Sequence, residues 1–410
     1  MDHRNLIFAV CLLFVPALLQ AQSSADRYEL SFAPDVWYNS VDGVRLGIRM
    51  AGNMEGEFRS GPHRIEAGIW LGTALPEDPV SYFISYTEPI PAITSYANEG
   101  SIQLISTVRT GYSYHQVSMN KRWQPGFNEL NFKELSLGFS QEKMIDYSYR
   151  PYQQLWQDNW KSILNLDFWL SEKWEKHKFD LQLTVLQNIN EASDYFTVGT
   201  IEITEQYYLN DLFKLRLRGF GGYVTENGAP EYLFGYSFGL PMDWLNNGIS
   251  RAKGTLNETW LSDGLISIAS GPNLRGYTRH DFEILTNGGI PQYKSIAAFN
   301  TEFEFPNYLN RKLDQTIVGD FLELRSYIFG DVGRTFDKEE TLNISGVENS
   351  TWIADAGIGI QFSINIPDYL GKDRGVAIRY EVPFWLSEPM GAEKHFKFRN
   401  LIGIGAVISF

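Results

Sequence analysis

Apolar and polar residues alternate with a period of two through most of this chain, and no apolar run reaches the roughly 18 residues that mark a membrane-crossing helix. A chain patterned in this way is made of strands, each with one apolar and one polar face. In 43–50, Val44, Leu46, Ile48 and Met50 share a face opposite Arg45 and Arg49. In 163–170, Leu164, Leu166, Phe168 and Leu170 alternate with Asn165, Asp167 and Trp169, and further on Phe213, Leu215 and Leu217 alternate with Lys214, Arg216 and Arg218. Strands of a soluble sandwich alternate too, so the number of such runs decides. Sixteen are predicted. Eleven lie near 43–52, 63–73, 80–89, 102–122, 128–140, 159–172, 177–189, 195–206, 212–223, 232–239 and 262–270, and five near 295–306, 319–333, 353–365, 374–386 and 396–410. The roughly 389 residues after position 21 (410 − 21) then give about 24 per strand and connection, which suits a tilted spanning strand of about 9–11 residues. The expected fold is an all-β membrane barrel of about 16 antiparallel strands, with both chain ends on the periplasmic side.

The start of the chain fits an exported barrel. Met1-Asp2-His3-Arg4, an apolar run from Leu6 to Leu19 and the small residue Ala21 predict a signal peptide over 1–21. The only cysteine, Cys11, leaves with it, so disulfides and thiolate metal sites are excluded from the mature chain. Residues 22–41 are read as a short periplasmic lead-in, too short for a folded module, and 42–410 as the barrel. Aromatic residues make up 15% of the chain, the supply that girdles at two membrane interfaces require. A net charge of −14 argues against a nucleic-acid partner. Segments 142–160 and 241–261 do not alternate and are expected as longer extracellular loops.

If the apolar faces meet lipid, the last five strands put Glu302, Glu304, Glu323, Arg325, Asp331, Arg379 and Glu381 in the lumen. The reverse orientation would cost a few kcal/mol for each charge near midplane. Just before these strands stands Gly271-Pro272-Asn273-Leu274-Arg275-Gly276-Tyr277, a turn-rich loop with a lone arginine. An arginine inside a lumen needs anionic acceptors, and its planar fork fits a carboxylate bidentately. Catalytic patterns are lacking. The six histidines stand at 3, 63, 115, 177, 280 and 395, with no His-Glu-x-x-His, and there is no Gly-x-Ser-x-Gly elbow. No enzyme activity, metal or cofactor is expected, and a hydrolase at the extracellular rim around His280-Asp281 is the least favoured alternative.

Leu274-Arg275-Gly276-Tyr277, followed by Phe329-Gly330-Asp331-Val332-Gly333, resembles the outer membrane protein 85 superfamily, which includes the BamA and TamA assembly factors, two-partner-secretion transporters and D15-type surface antigens. The resemblance spans about 260–410. It implies a sixteen-stranded barrel whose loop between strands 11 and 12 (about 271–294 here) folds into the lumen. It also implies that Arg275-Gly276-Tyr277 meets Phe329, Asp331 and Gly333, so that Asp331 partners Arg275, with Glu302 or Glu304 as second acceptors. Trp37-Tyr38-Asn39-Ser40-Val41-Asp42-Gly43 resembles barrel starts of Bacteroidetes-type members. Gly405, Ile408 and Phe410 resemble the C-terminal recognition signal of bacterial outer-membrane barrels. Family members carry periplasmic POTRA modules, which are not expected here. The implied role is insertion or translocation of proteins or lipids at the bacterial outer membrane, among outer-membrane lipid and lipopolysaccharide. Periplasmic or outer-membrane protein partners would stand in for the modules. A passive channel or a structural barrel subunit is the alternative.

Overall fold

The computed structural model describes residues 28–39, 43–54, 63–74, 79–109, 111–128, 130–145, 157–190, 194–210, 212–225, 227–234, 266–267, 274–277, 293–313, 315–316, 322–338, 352–367, 373–389 and 393–408. Its strands are β1 (Tyr28–Asn39), β2 (Gly43–Met54), β3 (Arg64–Gly72), β4 (Val80–Pro89), β5 (Asn98–Arg109), β6 (Tyr112–Trp123), β7 (Phe132–Met144), β8 (Lys161–Trp174) and β9 (His177–Asn188). They continue with β10 (Phe196–Tyr208), β11 (Lys214–Val224), β12 (Ile266–Ser267), β13 (Tyr293–Phe305), β14 (Leu322–Lys338), β15 (Ile353–Pro367), β16 (Asp373–Leu386) and β17 (Leu401–Ile408). Each strand from β1 to β11 pairs antiparallel with the next, β11 pairs with β13, and the series runs on to β17. Sixteen strands of this antiparallel meander are eight to seventeen residues long. Short β12 stands apart, pairing parallel with β17 through Ile266↔Ile402 and Ser267↔Gly403. No β1–β17 pairing occurs among the described residues, so the two outer strands form a seam.

The faces are inverted relative to a soluble protein. On β2, Leu46 and Ile48 are 53% and 58% exposed while Arg45 is 0%. The apolar side is what a bilayer would cover, and the polar side lines the lumen. Aromatic rows mark one end of the wall. Tyr28, His63 and Tyr86 form one series of ring contacts, and Trp174, His177 and Tyr207 stack in another, with His177 and Tyr207 centroids 4.4 Å apart. This end carries the start of β1, the end of β17 and several short connections, such as 175–176 and 209–213. The opposite end carries connections 145–160, 225–292, 339–352 and 387–400. Longer loops belong on the extracellular side.

Three sequence expectations need correction. Residues 28–39 are not a lead-in: β1 pairs with β2 along its whole length, from Tyr28↔Met54 to Asn39↔Gly43. Pro34 hid it, because proline argues against a central strand yet is tolerated on an edge strand, which is where β1 lies. The single run near 102–122 is two strands, β5 and β6, and Gly111 before β6 has a φ of 72°. Conversely, 232–234 form the end of a 3-10 turn and an isolated bridge rather than a strand. Within 262–270 the two described residues, Ile266 and Ser267, are strand. The signal peptide, 241–261, Phe410 and the His280-Asp281 pair lie outside the described residues.

Candidate functional site

The lumen wall formed by β13 to β16 is read most easily as rungs of residues lying side by side. One rung is Asn300–Asp331–Asp355, the next Glu302–Phe329–Gly357, and the third Glu304–Tyr327–Gly359–Glu381. A fourth brings Arg325, Gln361 and Arg379 into line. Each strand alternates, so every one of these residues faces the same way.

Arg275 enters from the connection between β11 and β13 and lies across three rungs. Its Nε and one terminal nitrogen donate to the two oxygens of Asp331, both at 2.7 Å, and its backbone N–H donates to the same carboxylate at 3.2 Å. The other terminal nitrogen donates to Glu302 at 2.8 Å and Glu381 at 3.1 Å. Underneath, the guanidinium carbon is 3.9 Å from the centroid of the Phe329 ring. That floor depends on glycine. A Cβ on Gly357 would stand 2.3 Å from the Phe329 ring, and one on Gly359 would stand 2.4 Å from that of Tyr327. Asparagine 300 donates to Asp331 at 2.9 Å, completing the acceptor's surroundings. A bidentate, charge-assisted pair of this kind is the strong form of the hydrogen bond.

The neighbours of Arg275 fasten the same tip. The Gly276 N–H donates to Asp355 at 2.9 Å, and a Cβ on Gly276 would be 2.3 Å from Leu386 Cδ2 and 2.5 Å from Asp355 Cβ. Leu274 packs over Gly333, where a Cβ would come within 3.1 Å of Leu274 Cδ1. The Tyr277 hydroxyl accepts the Glu388 N–H at 3.1 Å and lies 3.3 Å from the Ser387 hydroxyl. Leu274, Tyr277, Tyr293, Ile353 and Leu386 bury one another.

Of the two second acceptors expected, the structure brings Glu302 to Arg275 and leaves Glu304 elsewhere. Glu304 accepts from Arg325 at 2.8 Å and lies 3.4 Å from Lys214 and 3.3 Å from Arg216. Glu302 is shared further: it accepts from Arg379 and, at 3.1 Å, from Arg325. The Tyr327 hydroxyl donates to Glu381 at 2.8 Å and accepts from Arg379 Nε at 3.0 Å. Glu381, Arg379, Asn300, Asp355 and Tyr327 thus belong to the network although none was placed beside Arg275 in advance. Gly405 and Ile408 pair with Ala377 and Arg374 of β16.

A second fastening was not legible at all. Directly after β11, a 3-10 turn (Pro230–Tyr232) places Glu231 against Lys161 of β8, both side chains being no more than 2% exposed. The Tyr232 hydroxyl donates to Glu142 of β7. Phe234 and Tyr293 exchange backbone hydrogen bonds at 2.9 and 3.0 Å, and Tyr112, Met144, Ile163, Phe196, Val224 and Phe234 belong to one apolar cluster around the turn. Connection 225–292 is therefore held at its stem against β7–β8 and at its tip against β13–β16. Lys161→Met should strand the Glu231 carboxyl in this cluster and lower stability by about 3–5 kcal/mol. The temperature at which the folded form disappears in semi-native electrophoresis measures it, and an unchanged temperature would refute the stem pair.

Between these two fastenings the lumen holds a cavity of about 1000 Å³, lined among others by Gln116, Asn120, Asn165, Gln182, Arg218 and Arg275. No family model matches the chain, and no curated protein matches it. Its fold is similar to the crystal structure of BamA from Haemophilus ducreyi lacking POTRA domains 1-3, with a TM-score of 0.51 and 13% identity, covering 93% of this chain and 71% of that one. It also matches CdiB from Escherichia coli, with a TM-score of 0.43 and 9% identity over 94% of this chain and 68% of that one.

Proposed function

We propose that this chain is a bacterial outer-membrane barrel of the BamA- and TamA-like kind, acting in the insertion or translocation of proteins or lipids. The observation that carries this reading is Arg275, a buried arginine on a connection, clasped by Asp331, Glu302 and Glu381 of the lumen wall. In this reading the connection is a plug and brace, and the Arg275–Asp331 clamp fixes it. The seam between β1 and β17 is the place where the wall opens, and β12 occupies the free edge of β17 meanwhile. Client delivery then rests on periplasmic or outer-membrane partner proteins, and the C-terminal Gly405, Ile408 and Phe410 serve as the signal for the barrel's own assembly. Affinity purification from native outer membranes followed by mass spectrometry tests it. Recovery of periplasmic or outer-membrane partners is expected, and recovery of the barrel alone would sink the assembly reading.

The polar cavity of about 1000 Å³ favours one alternative, a passive channel. Planar-bilayer recording separates the two: a plugged barrel gives a small, flickering conductance and a channel a large, steady one.

A further inference from the structure

The lipid-facing wall carries a polar cluster that the lumen plug does not use. Gln103 on β5 and Gln116, Ser118 and Asn120 on β6 line the lumen cavity, so Ser106, Ser113 and His115 lie on the opposite face. Val117, next on that face, is 43% exposed. Ser106 and His115 stand directly opposite each other in the ladder. The Ser106 hydroxyl lies 3.0 Å from His115 Nδ1, the Ser113 hydroxyl 2.9 Å from His115 Nε2, and the Tyr82 hydroxyl 3.1 Å from Ser106. The Trp160 ring stacks on His115 with centroids 6.3 Å apart.

Depth is the second observation. Ser106 is three residues below the extracellular end of β5, and His115 three below that of β6. At ~3.3 Å per residue both lie about 10 Å along the strand from its end, and a tilt of about 40° makes that roughly 8 Å of depth. With the strand ends at the outer edge of the headgroups, that depth is the inner border of an interfacial layer about 5–8 Å thick, where the acyl esters of the lipid lie.

We propose that Ser106 and His115 form a membrane-facing catalytic pair that hydrolyses fatty acyl esters of outer-leaflet lipid. A hydroxyl is a weak nucleophile until a neighbouring base takes its proton, and an imidazole in hydrogen-bond reach is the commonest such base. Ser113 is 5% exposed and lies behind the imidazole, whereas Ser106 and Tyr82 are only partly covered. Ser106 is therefore the nucleophile, and Ser113 is a positioning residue that accepts the Nε2–H and leaves Nδ1 free as the base. Ser106 Oγ bonds to the ester carbonyl carbon while its proton passes to His115 Nδ1, and the Tyr82 hydroxyl donates to the carbonyl oxygen as it gains charge. The C–O bond to the alcohol then breaks, and the alcohol leaves with the proton from His115. Water, giving a proton to His115, attacks the acyl-Ser106 ester, releasing fatty acid and restoring Ser106. One ester and one water become one acid and one alcohol.

The test uses the folded, purified chain in micelles and in vesicles. A fluorophosphonate should label Ser106, located by mass spectrometry. Fatty acid should be released from vesicles of diacylphosphatidylethanolamine or from vesicles containing lipopolysaccharide, and the arm that releases it identifies the ester's source. Ser106→Ala and His115→Gln should each lower release at least about a hundredfold without changing heat resistance of the barrel. Ser113→Ala should lower it and Ser113→Thr restore it, since only a hydroxyl is needed to hold the ring. No adduct together with no release from either vesicle would overturn the proposal, as would release that survives in Ser106→Ala.

Discussion

Asp331→Ala is expected to destabilise the folded barrel by about 3–5 kcal/mol, because it leaves a guanidinium that is only 3% exposed without its bidentate acceptor. Arg275→Ala should cost at least as much, since Asp331, Glu302 and Glu381 would then face one another without the cation they share. Arg275→Lys keeps the charge but not the fork, and a compact ammonium cannot donate to three carboxylates while lying over the Phe329 ring. It should recover less than half of the loss. Urea unfolding in lipid vesicles followed by electrophoretic mobility reads all three. The double variant decides between pairing and coincidence: a coupling energy of about 1 kcal/mol or more is expected. Small effects that simply add would mean that the two groups are separately solvated.

Gly276→Val should act on the pore as well as on the stability of the wall. Any Cβ at this position would stand 2.3 Å from Leu386 Cδ2 and 2.5 Å from Asp355 Cβ, so the tip must leave its seat. Gly276 itself belongs to no strand, so the ladders of β13 to β16 keep their backbone pairing, but the displaced tip takes Arg275 from its acceptors and should bring a loss of stability like that of Arg275→Ala. The expected result is a barrel that still folds but conducts with a larger and steadier single-channel current than the parent. Gly276→Ala should move in the same direction by a smaller step. If both variants conduct like the parent, the tip does not obstruct the lumen.

Alternation revealed the faces of the wall but not the contacts made across it. Glu302 and Glu304 share a face, so periodicity ranks them equally as acceptors for Arg275. They lie one rung apart, about 7 Å along the strand, and the guanidinium reaches only the first. Glu381 is on the wall two strands away from Asp331, and nothing in its local sequence ties it to a loop 106 residues earlier. The stem pair was hidden for a related reason. Lys161 begins a strand and Glu231 sits in a turn after proline, and each reads as a surface charge until the turn folds inward. Pro34 concealed β1 and the unbroken run 102–122 fused β5 with β6, while 232–234 were read as strand where a turn and a single bridge stand.

The proline that concealed β1 also changes what an open wall costs. Inside a bilayer, each backbone N–H without an acceptor is penalised by several kcal/mol, which is why unpaired strand borders are avoided there. Position 34 has no such hydrogen to strand. At that rung, parting the outermost strands forfeits no donor of β1, and rejoining them regains none. If the wall opens at this seam as proposed, its first strand carries one point at which closed and parted forms differ less in energy than they do elsewhere along the junction.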